Sequence, residues 1–187
     1  MNKIINLRHI AGYCPEAAIW KMIVDLCCII QGQDKRRTPI TPRSLFVDGG
    51  SFYIDECDEI SPEFLPPEYV TGESITESQQ IWMLGATIYY ASSGRILFGG
   101  HGGHYQRTNP YVQLPVLQKA HQAITPVMQR CLQTDPSQRI NVQELKDIAL
   151  RESERCRRAP RQQARPQQTA SNKIITDRKW PEEMVAL

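Results

Sequence analysis

Several sequence patterns that identify common classes of protein are missing from this chain. Its 187 residues contain no Cys-x-x-Cys pair and no secretory signal, and its six cysteines include the adjacent Cys27 and Cys28. This usage argues against a disulfide framework and indicates a reducing compartment. The most apolar stretch, Ile19 to Ile30, is interrupted by Lys21 and Asp25 and is too short to span a bilayer. We therefore expect a soluble, cytoplasmic protein that does not enter a membrane.

A glycine-rich phosphate loop is also missing, because Gly-x-Gly-x-x-Gly occurs nowhere in the chain. The glycines at 102 and 103 lie late in the sequence between His101 and His104, and these two imidazoles could bind a metal together with His121. A glycine-rich segment does not preorganise ligands, and no cysteine lies nearby in the sequence. The pattern favours a solvated loop, and we expect no cofactor and no metal.

Charge divides the chain into two parts. Residues 1–150 hold 13 Lys/Arg and 15 Asp/Glu, whereas residues 151–187 hold 9 and 5. The first part is predicted to be one domain, and 41% hydrophobic residues in the whole chain suffice for its core. The second part is a basic tail that could attract nucleic acid or anionic membrane. Residues 151–165 lack aromatic residues and an apolar helical face, which favours a disordered, solvated tail.

The apolar pattern predicts a mainly α fold with one small β-hairpin. Residues 79–92 are apolar on nearly every side, which is typical of a helix at the centre of a domain, with Ser78 as its N-cap and Gly94 as its stop. A long helix is predicted from Pro15 to Gly32. Residues 44–54 read as two short strands around a tight turn that contains glycine.

The second half of the chain resembles the C-terminal lobe of a eukaryotic-type protein kinase. It has PPE at 66–68, IWMLG at 81–85 and CLQTDPSQR at 131–139, where that family has A-P-E, V-W-S-L-G and C-L-x-x-D-P-x-x-R. The helix and hairpin before them follow the family's order too. The resemblance implies an internal ion pair between Glu68 and Arg139.

The same resemblance implies that catalytic groups are missing. Aligning residues 44–47 with the family's N-I-L-L places Pro39 at the catalytic Asp. At other positions of the family's pattern, this chain has Arg37 in place of the His of H-R-D, Thr41 in place of the catalytic-loop Lys and Ser44 in place of the metal-binding Asn. Gln80 replaces the Asp that opens the central helix in active members. Asp55 matches the D-F-G aspartate and is the one candidate for cofactor binding.

Only 14 residues precede Pro15, which leaves no room for the N-terminal lobe that kinases need. A kinase C-lobe without that lobe and without the catalytic Asp resembles the KIND family, the kinase non-catalytic C-lobe domains that act as docking modules. We therefore expect a non-catalytic protein-interaction module. The alternatives are the C-lobe half of a split kinase completed by another chain, and a nucleic-acid binder that uses the tail.

A partner would bind beside the hairpin, where a kinase carries its N-terminal lobe. Alternating apolar side chains on the two strands cannot all enter one small core, and acidic residues follow the second strand. We predict that the partner offers a basic, partly apolar peptide. The predicted binding residues are Leu45, Phe46, Phe52, Tyr53, Asp55, Glu56, Asp58 and Glu59.

Overall fold

The computed structural model describes residues 4–32, 37–55, 61–109 and 111–158. This part of the chain is mainly helical, as predicted, with one small antiparallel sheet of strand order β1-β2-β3. The elements in chain order are β1 (Ile5–Asn6), α1 (Glu16–Gln31), β2 (Leu45–Asp48), β3 (Ser51–Ile54), α2 (Glu77–Ser93), α3 (Gly102–Thr108), α4 (Thr125–Cys131) and α5 (Val142–Arg158).

Helix α2 lies at the centre of the fold. Trp82, Leu84 and Ile88 are fully buried, which confirms their predicted place in the core. Ser78 is not the N-cap. Thr76 caps the helix, because its hydroxyl oxygen accepts a hydrogen bond from the backbone N–H of Gln79. The side-chain oxygen of Gln79 in turn accepts the backbone N–H of Thr76, so that two otherwise free donors are satisfied.

At its other end, α2 stops at Gly94 as predicted. Gly94 adopts a left-handed conformation with a φ of 69°, and its N–H bonds to the carbonyl of Tyr90. This geometry is unfavourable for residues with a Cβ, which explains the glycine.

Helices α1 and α5 pack against each other, although they lie far apart in the sequence. The apolar face of α1 is buried, and α5 contributes Leu145 and Ala149 to the same core. Polar contacts flank this packing: Gln31 exchanges hydrogen bonds with Gln143 and Lys146 at 2.8 and 2.9 Å. Helix α5 continues to Arg158, eight residues beyond the predicted boundary at 150, and residues 159–187 lie outside the described residues.

The predicted hairpin is present, with Leu45 opposite Ile54 and Asp48 opposite Ser51. A third strand that we did not predict, β1, pairs antiparallel with β2 and places Ile5 opposite Val47. Two residues are too few to show an alternating pattern, so β1 could not be recognised from the sequence.

No helix in the described ranges is long and apolar enough to cross a membrane.

Close packing between α2 and α4 makes Gly85 a sensitive position. A Cβ there would lie 2.8 Å from Cys131 Cβ and 3.0 Å from Leu132 Cγ. Ala is the better helix former by about 1 kcal/mol, whereas overpacking costs about 1–3 kcal/mol. We expect Gly85→Ala to lower the free energy of unfolding by up to about 2 kcal/mol in urea titration.

Gly32 provides the matched control, because it has a helical conformation and a Cβ there would meet no atom closer than 3.5 Å. Gly32→Ala should leave stability within about 0.5 kcal/mol of the wild type. Equal effects of the two substitutions would contradict the close contact at Gly85.

Candidate functional site

The segment 37–44, which the kinase resemblance aligns with a catalytic loop, is held by its own hydrogen bonds. Thr41 and Ser44 are buried, and their hydroxyl oxygens lie 3.2 Å apart. The Ser44 hydroxyl is also 3.0 Å from the carbonyl of Pro39. Residues 37–44 include no Asp, Glu, His, Lys or Cys. This loop therefore offers no side chain that accepts a proton readily near neutral pH.

Gln80 fixes the same loop to the central helix. Its amide nitrogen donates to the carbonyl of Thr38 at 2.9 Å, and its amide oxygen accepts from Arg37 at 3.0 Å. An aspartate could accept the Arg37 bond but could not donate to Thr38. Gln80 can therefore hold both Thr38 and Arg37, because its amide group both donates and accepts.

Asp55 lies beside Ser44, because its backbone N–H donates to the Ser44 carbonyl at 2.8 Å. Its side chain is exposed at the end of β3. In the described part of the chain, no three residues of the His, Cys, Asp and Glu types cluster as a metal would require. Glu56, Asp58 and Glu59 lie outside the described residues.

The hairpin divides the four predicted apolar binding residues between its two faces. Leu45 and Phe52 are buried at 0% and 4% exposure, so these two predicted contacts are wrong: they belong to the core under the sheet. Phe46 and Tyr53 lie opposite each other on the outer face, partly exposed, with ring centroids 5.9 Å apart. The carboxylate of Asp25 on α1 accepts the backbone N–H of Phe52 at 2.9 Å and so joins β3 to α1.

The segment around His101 is not a loop as predicted, because Gly102 and Gly103 begin helix α3 and are buried. A Cβ at Gly103 would lie 2.2 Å from the backbone nitrogen of Pro67, and one at Gly102 would lie 2.8 Å from the carbonyl oxygen of Glu63. Only glycine permits this approach, so these residues serve close packing.

The three histidines do not act together. His101, which directly precedes α3, and His104 on α3 are exposed. His121 is buried, and its Nε2 is 2.8 Å from the carbonyl oxygen of Cys14. A neutral imidazole can donate from Nε2, and this bond satisfies it. Burial also raises the pKa of the Cys14 thiol to about 12, so this cysteine stays protonated and inert near neutral pH.

Arg139 and Glu68 form the predicted ion pair, with two N–O distances of 2.7 Å. The Arg139 side chain is 1% exposed, and its remaining donors bond to the carbonyls of Ser78, Gln133 and Thr134 at 2.9, 2.9 and 3.3 Å. All five guanidinium donors are therefore used, which a lysine with three donors could not reproduce.

We expect Arg139→Ala to destabilise the domain by about 3–5 kcal/mol. The substitution leaves the Glu68 carboxylate without its cation and three backbone carbonyls without their hydrogen-bond donor. Arg139→Lys keeps the charge and should recover only part of this loss. The measurement is the urea dependence of unfolding followed by circular dichroism.

A second bidentate pair gives the control. Arg130 and Glu144 lie 2.7 Å apart with side chains 45% and 44% exposed. Solvent screens such a pair, so Arg130→Ala should change stability far less than Arg139→Ala. Similar losses in both variants would contradict the structural importance of the buried pair.

Comparison with known proteins does not assign the chain to a family. No protein-family model matches the chain, and no curated protein matches its sequence. The functional argument therefore rests on the geometry of the described residues.

Proposed function

We propose that this protein is a non-catalytic protein-interaction module whose helical domain resembles the C-terminal lobe of a protein kinase. The observation that carries the proposal is the stacked pair of Phe46 and Tyr53 on the outer face of the sheet. Aromatic side chains held rigidly at a surface are typical anchors of protein interfaces. They lie on a strand pair whose other face is fixed to α1.

The charge next to this pair indicates the chemistry of the partner. Asp48 and Asp55 are exposed at the ends of β2 and β3, and the next acidic residues in the chain follow directly after Asp55. An apolar centre with a charged rim is the usual anatomy of an interface. The proposed partner therefore presents a basic, partly apolar peptide.

Catalysis by this chain is not part of the proposal, because the loop that the resemblance aligns with a catalytic loop contains Pro39, Thr41 and Ser44, with the last two bonded to each other. Phosphoryl transfer relies on a base for the acceptor hydroxyl, on positioned metal ions and on a cation over the phosphates.

Five cysteines in the described ranges, including the exposed Cys28, are free thiols. Free thiols support a cytoplasmic location.

Photochemical crosslinking tests the docking surface. The photoreactive amino acid benzoylphenylalanine replaces either Phe46 or the control residue Tyr111, which is 96% exposed and lies outside the sheet. We expect a discrete crosslinked partner from position 46 and none from position 111. Mass spectrometry should place the crosslink in a Lys/Arg-rich segment of that partner.

The charged rim is tested on the same crosslink. Charge reversal by Asp55→Lys, or by the pair Asp58→Lys and Glu59→Lys, should lower its yield more at low salt than at high salt. Identical crosslinks from positions 46 and 111, or a yield insensitive to all three reversals, would refute docking at this face.

An assay for phosphoryl transfer distinguishes the proposal from a split kinase. Purified protein with labelled ATP, Mg²⁺ or Mn²⁺ and a general protein substrate should transfer no more label than the Asp55→Ala variant. A split kinase predicts that addition of the crosslinked partner restores transfer in the wild type and not in Asp55→Ala. Such restoration would make Asp55 a metal ligand and overturn the non-catalytic proposal.

A further inference from the structure

A cleft of about 360 Å³ lies between helix α3 and the segment that precedes α2. This volume falls in the range of small ligand sites and can admit one or two side chains of a peptide. The cleft uses no residue of the hairpin surface. Its lining residues include Pro66, Pro67, Tyr69, His101, His104 and Arg107.

The walls of this cleft are rigidly built. The N–H of Gly103 bonds to the carbonyl of Leu65 at 2.9 Å. Because Gly102 and Gly103 have no side chain, α3 can touch the segment before α2 at the base of the cleft. Next to the cleft, Phe98 has a φ of 50°, a left-handed conformation that is unusual for a residue with a side chain. Such strain persists only where the surrounding structure imposes it, and it often accompanies a binding site.

Aromatic stacking also fixes the rim of the cleft. The ring of Tyr105 lies 5.6 Å from that of Phe98 and 6.3 Å from that of His101, measured between centroids. His101 lines the cleft, so this stack connects the cleft to the ring of Phe98 through Tyr105.

The polar groups of the cleft are arranged to donate. Arg107 Nη2 lies 3.0 Å from His104 Nδ1. Because the guanidinium has no acceptor atom, it must be the donor and Nδ1 the acceptor, so the neutral imidazole carries its proton on Nε2. Of the ten lining residues, none is an Asp or a Glu. The cleft presents a guanidinium and an imidazole N–H above a wall of prolines and Tyr69.

We propose that this cleft binds an acidic segment of a second protein, in which a Glu or Asp carboxylate bonds to Arg107 and His104. The adjacent apolar side chain of the same segment packs on Pro66, Pro67 and Tyr69. Arginine and carboxylate form strong charge-assisted hydrogen bonds, and no Asp or Glu lines the cleft itself. The site is separate from the hairpin surface, and its partner has the opposite charge.

Peptide selection tests this site with the full chain. A library of random twelve-residue peptides displayed on phage is selected on the wild-type protein and, in parallel, on Arg107→Glu and His104→Glu. Both residues are exposed, so the variants should fold, and circular dichroism checks this. We expect enrichment of peptides that place Glu or Asp beside an aromatic or aliphatic residue, on the wild type alone.

The affinity of an enriched peptide is then measured by fluorescence anisotropy. Arg107→Glu should weaken binding about tenfold or more, and so should replacement of the peptide's Glu by Gln. Arg95→Glu is the matched control, because Arg95 is an exposed arginine that does not line the cleft, and binding should stay within about twofold of the wild type.

Three outcomes would overturn the proposal. The selected peptides could lack acidic residues, or they could bind Arg107→Glu as well as they bind the wild type. Alternatively, peptides could bind only after residues 159–187 are deleted, which would make that segment of the chain itself the occupant. Failure here leaves the hairpin crosslinks unaffected, since the two tests share no residue.

Discussion

The buried guanidinium of Arg139 ties together segments of the chain that lie up to 71 residues apart. It joins the carboxylate of Glu68, the first turn of α2 and the turn that precedes α5 through five hydrogen bonds. The cleft beside α3 depends on the same interaction indirectly, because Glu68 follows the prolines that form its wall.

The elements predicted from the sequence are those with a strong local pattern. Helices α1 and α2 contain many apolar residues at helical spacing, and the hairpin has alternation and a turn with Gly49 and Gly50 at positive φ. Helix α3 escaped prediction because it has seven residues and begins with two glycines. Its stability comes from packing against residues about 40 positions earlier, which no local pattern reveals.

The candidate sites were also predictable only as far as local sequence patterns or the family resemblance reached. The pairing of Glu68 with Arg139 followed from a resemblance, and the structure contains it. Alternation on the hairpin predicted that its four apolar side chains could not all enter one small core, but not which of them would point outward. That choice depends on how the hairpin packs on α1, an element distant in the sequence. The cleft at Arg107 was missed entirely, because its walls meet only through the folded backbone.

The contact between α1 and α5 has a consequence for how the protein is made. Gln31 bonds to Gln143, a partner 112 residues later in the chain. At ribosomal rates of 5–20 residues per second, α1 waits on the order of 10 s before α5 leaves the exit tunnel. During this interval the part of α1 that packs on α5 lacks its cover, although β3 and α2 can already contact other parts of the helix. The nascent chain thus keeps part of an apolar helix face exposed to water until α5 has been synthesised.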